Sequence, residues 1–245
     1  MTSRFDISFV RSARQSGGAA VLLKLADSEA SSGAAVVAPA ILAKAMKVAK
    51  YKGKKLAKLD LIAPEGSAAD RAIVIGLGAP GEFTAHDWLK AGGVAAAAVD
   101  GSDKVTVYLD APGATLTGKN AADFALGMLL RAYRFDKYKS SRDEGEQNGN
   151  GNGNGKRPAK VTIVTTVATA AKRAFESALA VAGGVNLARD LVNEPANVLG
   201  PSEFAARAKE LEALGVEVEI LTEKEMRRLG MGALLGVAQG SVRPP

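Results

Sequence analysis

Residues 186–245 read NLARDLVNEPANVLGPSEFAARAKELEALGVEVEILTEKEMRRLGMGALLGVAQGSVRPP. Two prolines divide this stretch, because Pro195 ends a helix that arrives from upstream and Pro201 suits the first turn of the next helix. The apolar and β-branched residues of Val216–Leu221 then predict a strand. The order helix, helix, strand indicates the beginning of an α/β unit.

Helix signals continue on both sides of these prolines. Thr222 and Glu225 form a T-x-x-E capping box that predicts a short helix, and Gly230 is placed to end it. Upstream, apolar residues at helical spacing predict one long helix over Ala170–Val192. Its central Gly183-Gly184 pair lowers helix propensity by about 1 kcal/mol per glycine relative to alanine, so we expect another element to pack closely there.

Residues 1–168 alternate between strand and helix patterns, which predicts an α/β domain with a partly parallel sheet. Gly17-Gly18 lies between the first two strand patterns and predicts a hairpin, so we expect the sheet to be mixed. The predicted strands are Phe5–Val10, Ala19–Leu25, Leu59–Ala63, Ala72–Leu77, Val105–Leu109 and Val161–Val167. The predicted helices are Pro39–Lys50, Thr84–Val99, with Thr84 as N-cap, and Ala121–Tyr138.

The segment 140–158 separates the last predicted helix of this domain from its last strand. It reads SSRDEGEQNGNGNGNGKRP and is polar and glycine-rich, which predicts a flexible surface loop. The sequence therefore predicts two domains, one at 1–168 containing this loop and a second, unfinished one at 169–245.

Composition narrows the class of protein. The 245 residues contain no cysteine and one histidine, which excludes disulfides and thiolate metal sites. The sequence contains no apolar run of about 18 residues, so no membrane-spanning helix is expected. Its N-terminus lacks the apolar core of a signal peptide. We therefore expect a cytoplasmic protein with no membrane partner. Residues 1–168 hold 23 basic and 16 acidic residues, so the net charge of +6 arises in the N-terminal domain.

A glycine motif follows the predicted strand Ala72–Leu77. Residues 76–81 read GLGAPG, a literal G-x-G-x-x-G, and Asp100 follows 19 residues after Gly81. This pattern is typical of dinucleotide sites, in which the glycines let a pyrophosphate approach the start of a helix. Pro80 delays the helix, however, and Asp100 follows a helix pattern instead of a strand, which favours a structural strand-to-helix turn.

Basic residues are concentrated between positions 44 and 58. Seven lysines occur in these 15 residues with no acidic residue between them: Lys44, Lys47, Lys50, Lys52, Lys54, Lys55 and Lys58. Such a cluster can neutralise phosphates of nucleic acid. Tyr51 is the only aromatic residue among them, which argues against stacking on single strands and favours a solvated surface.

Other catalytic signatures are weak. The single His86 excludes an H-E-x-x-H zinc site and is predicted to lie at the surface near a helix start. Asp190 and Glu194 are four residues apart at the end of the long helix and could share a face, which is the only hint of a metal site. No G-x-S-x-G elbow and no G-x-x-x-x-G-K-[ST] loop occurs in the sequence.

Longer stretches resemble one family. ARDLVNEPAN at Ala188–Asn197 and MGALLGVAQGSVRPP at Met231–Pro245 closely resemble leucyl (cytosol) aminopeptidases. LLRAYRFDKYKS at Leu129–Ser140 and the IGLG of residues 75–78 are similar to the N-terminal domain of that family. One departure is Gly200, where the family commonly has a threonine N-cap.

The resemblance implies a fold and an activity. It implies a mixed-sheet, macro-like α/β domain, a long linking helix and the start of an α/β aminopeptidase domain. It further implies hexamers that remove N-terminal residues, preferably leucine, from peptides. Two divalent metal ions, Mn²⁺ or Zn²⁺, would act at the family's active site.

The metal-binding stretches of the family, similar to GKGVTFDTGG and NTDAEGR, do not occur in these residues. The sequence therefore predicts no catalytic, cofactor-binding or metal-ligating residue in this chain, and we expect the chain alone to bind no metal and to be inactive. The alternative is a binding module without catalytic function, which uses the basic N-terminal domain for DNA or for oligomer assembly.

Overall fold

The computed structural model describes residues 4–26, 28–30, 36–139 and 158–245. The chain forms two compact units, Met1–Asn186 and Leu187–Pro245. Most of the predicted loop 140–158 lies outside the described residues. The predicted domain division at residue 168 stays a prediction.

A six-stranded sheet forms the centre of the first unit. Its strands are β1 (Phe5–Val10), β2 (Ala19–Leu25), β3 (Lys58–Ile62), β4 (Arg71–Gly78), β5 (Lys104–Tyr108) and β6 (Ala159–Val164). The strand order is β1-β6-β5-β2-β4-β3, and only the β3–β4 pair is antiparallel. The predicted mixed α/β sheet is therefore confirmed.

The predicted hairpin between β1 and β2 is wrong. β1 pairs with β6 at one edge of the sheet, whereas β2 lies in the centre between β4 and β5. All seven residues of β2 are buried, which is typical of a parallel strand covered by helices on both faces. A strand of this character cannot form an edge hairpin, so the sheet is mixed because of β3 alone.

Helices cover both faces of the sheet. The apolar residues of helix α1 (Pro39–Val48) pack on one face, against Ala20, Leu22 and Val74. The opposite face is covered by α2 (Ala85–Ala98), α3 (Gly118–Arg131) and the start of α4 (Ala168–Asn193). Consecutive residues of β2 therefore face two different cores.

Two glycines let helices α2 and α3 approach closely. A Cβ atom on Gly92 of α2 would overlap the carbonyl oxygen of Phe124 and lie 2.8 Å from its carbonyl carbon. A Cβ on Gly127 of α3 would in turn overlap the carbonyl oxygen of Leu89. The two helices therefore meet backbone to backbone, and the side chain of Phe124 is fully buried in the core beneath them.

An ion pair joins the antiparallel edge strand β3 to its neighbour β4. The Arg71 guanidinium donates from Nε to Asp60 Oδ1 at 2.8 Å and from Nη2 to Asp60 Oδ2. The hydrogen bonds from Arg71 keep the pKa of Asp60 below its usual range.

Helix α3 ends earlier than the apolar pattern predicts. The pattern places Phe135 and Tyr138 on a continuing helical face, but the helix ends at Arg131. Beyond it, Arg134 binds Asp100 at 2.7 Å, and the rings of Phe135 and Tyr138 contact each other. Apolar spacing alone does not mark this end, because no glycine or proline follows.

Helix α4 confirms the predicted long helix and extends it slightly at both ends. Its glycine pair does not show the expected close packing, since no described atom of another element lies within 4 Å of a Cβ placed on Gly183 or Gly184. The buried residues of the helix all precede this glycine pair and are Ala168, Ala171, Ala178 and Ala182.

The second unit consists of short helices. They are α5 (Pro201–Lys209), a 3₁₀ helix (Glu210–Leu214), α6 (Glu223–Arg228) and α7 (Gly232–Ala238). The capping box of Thr222 and Glu225 is confirmed, and Gly230 has the predicted left-handed conformation, with φ of 72°. The predicted strand Val216–Leu221 is wrong, because these residues form no ladder with any described strand. In this fully described unit only Met226 is buried.

Within the described ranges, no helix combines the length and the apolar character needed to cross a membrane.

Candidate functional site

Acidic residues form no metal centre in the part of the chain that the structure describes. No group of three or more histidine, cysteine, aspartate or glutamate side chains is placed to hold a metal ion there. Asp190 and Glu194 lie at the end of α4, where the Glu194 amide donates to the Asp190 carbonyl at 3.0 Å. His86 is exposed in the first turn of α2.

The glycine motif at the end of β4 is occupied by the protein's own backbone. A Cβ on Gly76 would overlap the Lys54 carbonyl oxygen and lie 2.5 Å from that of Gly53. The amides of Gly76 and Gly78 donate to Ala57 and Gly53 at 2.8 and 3.0 Å. These amides are therefore not available to a pyrophosphate, and the glycines allow the lysine-rich segment to cross over the strand.

Asp100, the acidic residue of that motif, is far from the glycines in the topology. It follows α2 and forms ion pairs with Arg4, just before β1, at 3.2 Å and with Arg134 at 2.7 Å. The amino end of β1 and the carboxyl end of β4 are at opposite ends of a parallel sheet. The structure therefore does not bring the two parts of a dinucleotide site together.

A buried carboxylate holds the lysine-rich segment in place. Asp87, at the third position of α2, accepts hydrogen bonds from the Thr84 amide at 2.9 Å and from the Thr84 hydroxyl at 2.7 Å. The Lys55 ammonium lies 2.6 Å from the same carboxylate, and only 4% of the Asp87 side chain is exposed. Lys55 also donates to the Glu82 carbonyl at 3.1 Å.

The pKa of Asp87 reflects two opposing effects. Burial raises it, but the hydrogen bonds from Lys55 and Thr84 together outweigh burial and hold the pKa of Asp87 well below its ordinary value. Lys55 therefore differs from the other lysines of its cluster, because its ion pair with Asp87 attaches this segment to α2.

Three other lysines of the cluster, Lys47, Lys50 and Lys52, line a cleft at the carboxyl end of β2. The cleft has a volume of about 550 Å³. Its lining residues are Lys24, Ala26, Met46, Lys47, Lys50, Tyr51 and Lys52. The Tyr51 hydroxyl lies 3.1 Å from the Ala57 carbonyl oxygen and 3.2 Å from that of Val74, which fixes the wall of the cleft, and burial raises the pKa of Tyr51 above its ordinary value.

Lys24 at the base of this cleft was not predicted from the sequence. It is 7% exposed, and its ammonium donates to the carbonyl oxygens of Leu25, Ala26 and Ser28. The available signal was a single charged residue within the apolar run AAVLLKL of β2. In a strand buried on both faces, such a residue needs polar partners beneath the surface.

In the second unit an arginine joins two of the stretches that carry the family resemblance. Arg243 donates to the Asn197 carbonyl at 3.0 Å and lies 3.4 Å from the Glu203 carboxylate. Glu203 accepts a hydrogen bond from the Gly200 amide at 2.9 Å and so caps α5, although Gly200 has no side chain to contribute. Hydrogen bonds from the backbone amides of Glu203 and Gly200 keep the pKa of Glu203 below its usual range.

Family models match both parts of the chain. The model of the cytosol aminopeptidase family, N-terminal domain, matches residues 15–142, and that of the family's catalytic domain matches residues 186–245. Probable cytosol aminopeptidases of Rhizobium etli (strain CIAT 652) and Rhizobium meliloti (strain 1021) are each 60% identical over all of this chain. The chain spans about half the length of these curated relatives, 48% in both cases.

Solved structures share the fold. A mutant of tomato leucine aminopeptidase aligns with a TM-score of 0.74 at 21% identity, over 100% of this chain and 50% of that protein. The bottromycin maturation enzyme BotP in complex with Mn aligns with a TM-score of 0.66 at 23% identity, over 94% of this chain and 44% of that enzyme.

Proposed function

The chain belongs to the cytosol aminopeptidase family, and on this premise we propose that it is part of a metal-dependent aminopeptidase. The enzyme removes N-terminal residues, preferably leucine, from peptides. The observation that carries the proposal is the match of both family domains in consecutive order, at 15–142 and 186–245.

We propose that the metal ions of this enzyme bind outside the described residues of this chain. Two divalent metal ions, Mn²⁺ or Zn²⁺, would supply an activated water and stabilise negative charge on the substrate. The described residues do not fit such a centre, because they bring no three metal-binding side chains together. We therefore name no ligand or catalytic residue here. In a polypeptide of the relatives' length, the remaining half would supply them.

An activity comparison tests this proposal. A polypeptide of the relatives' length that contains this chain is expected to hydrolyse leucine p-nitroanilide with Mn²⁺ or Zn²⁺ and to lose the activity in a chelator. The 245-residue chain under the same conditions is expected to show no turnover above the blank. No turnover by the long polypeptide would contradict the function, whereas metal-dependent turnover by the 245-residue chain would show that the ligands lie within it.

Assembly and location extend the proposal. The enzyme would be a hexamer located in the cytoplasm. The mass of the long polypeptide, measured by light scattering, would test the hexamer. A role of the basic domain in binding DNA stays a prediction, supported by the exposure of the seven lysines between Lys44 and Lys58.

A further inference from the structure

The lysine-lined cleft lies where α/β sheets commonly bind ligands. β2 is a topological switch point of the sheet, because the later strands β4 and β5 are added on opposite sides of it. The crevice outside the carboxyl end of such a strand is the usual ligand position in open α/β sheets. The cleft opens at this end of β2, beside the last turn of α1.

The described lining residues of the cleft carry charge of one sign. Among the residues that the structure describes at this cleft, seven form the lining, four of them are lysines and none is acidic. In the described part of the chain, no carboxylate forms an ion pair with Lys47, Lys50 or Lys52, in contrast to Lys55. The carbonyl oxygens of Leu25 and Ala26 would make the base of the cleft negative, but the Lys24 ammonium covers them.

The backbone at Lys50 adds an independent observation. Its φ of 50° lies in the left-handed region, and its amide donates to Lys47 while the Tyr51 amide donates to Met46. This is the pattern that usually ends a helix with glycine. A lysine is strained there, and strained backbone clusters at functional sites. Stabilisation of the helix dipole explains a lysine at position 47 but does not require one at position 50.

We propose that this cleft binds the phosphate chain of a small molecule, such as a nucleoside triphosphate or an inorganic oligophosphate. Ammonium groups of Lys47, Lys50 and Lys52 bind the phosphate oxygens by charge-assisted hydrogen bonds. Met46 and the ring of Tyr51 provide the apolar wall. The site is independent of the aminopeptidase proposal, because it involves no metal and no peptide.

Calorimetric titration of the 245-residue chain in phosphate-free buffer tests the site. Tripolyphosphate and ATP are expected to bind with similar affinity and adenosine not to bind. The variant Lys47→Gln/Lys50→Gln/Lys52→Gln should bind tripolyphosphate at least about 100-fold more weakly, since a hydrogen bond to a charged group contributes roughly tenfold or more. A control variant, Lys160→Gln/Lys172→Gln/Lys209→Gln, loses the same charge at exposed positions elsewhere and should change the affinity by less than about threefold.

The single variant Lys50→Gly separates binding from stability. Glycine accepts the left-handed conformation, so this variant should melt at a higher temperature than the parent chain while it binds tripolyphosphate roughly tenfold more weakly. Equal affinities for the triple variant and its control would overturn the proposal. So would tight binding of duplex DNA that tripolyphosphate does not displace, because the lysines would then bind nucleic acid instead.

Discussion

Replacement of Gly92 by alanine is expected to lower the free energy of unfolding by about 3 kcal/mol, the upper end of the usual cost of overpacking a core. The new methyl group would overlap the Phe124 carbonyl oxygen and lie 3.1 Å from the Met128 amide nitrogen. Both atoms belong to the backbone of α3 and cannot rotate away as a side chain could. Relief therefore requires α2 and α3 to separate, which opens the core over Phe124.

The neighbouring glycine provides a matched control. A Cβ on Gly93 lies 3.9 Å from the Gly127 carbonyl oxygen and 4.0 Å from the Arg131 Cβ, which is ordinary contact. Gly93→Ala should therefore raise the free energy of unfolding by roughly 0.5–1 kcal/mol through helix propensity. Urea denaturation followed by circular dichroism measures both values. A neutral effect of Gly92→Ala, or effects of the same sign in both variants, would contradict the close helix crossing.

Replacement of Asp87 by alanine is expected to lower the free energy of unfolding by about 2–3 kcal/mol at pH 7, because a capping side chain and a buried charged hydrogen bond are lost together. Lys55 would then have no anionic partner at α2, and its segment would lose an attachment to the helix. The control Asp123→Asn removes only the i,i+4 pair with the exposed Lys119 and should cost less than about 0.5 kcal/mol.

The pH dependence of the Asp87 variant follows from the sign of its pKa shift. The folded-state pKa of Asp87 is below the unfolded value of 3.8, so its contribution is fully present above that value and is lost as the pH falls towards the folded pKa. Urea denaturation from pH 7 to pH 2.5 should show a constant difference between parent and Asp87→Ala above about pH 5 and a shrinking one below 3.8. A difference that stays constant down to pH 2.5 would show that the Asp87 carboxylate does not stabilise the fold.

Local signals were sufficient for the predictions that proved right. The capping box of Thr222 and Glu225 depends on residues three apart, and the N-cap at Thr84 precedes the helix that it caps. The long helix α4 follows from apolar spacing within a single segment. The family was also identified from contiguous stretches, such as Ala188–Asn197.

The pairing of strands that are distant in sequence was not predictable from such local signals. The Gly17-Gly18 turn suggested a hairpin, but partner choice was decided by β4 and β5, which are distant in sequence. The segment Val216–Leu221 has strand-like residues and forms no strand, because hydrogen bonds to a neighbouring strand and not residue type create a sheet.

For the candidate site, the sequence by itself determined the composition: a lysine-rich segment without acidic residues, and the glycines before α2. Only the tertiary structure decided their roles. Lys55 is bound by Asp87, and the amides of Gly76 and Gly78 are used by the backbone at Ala57 and Gly53. Lys24 lies at the base of the cleft that Lys47, Lys50 and Lys52 line. The physical reason is that charge and burial act through distances in space: residues 24 and 50, like residues 55 and 87, come together only when the sheet has formed.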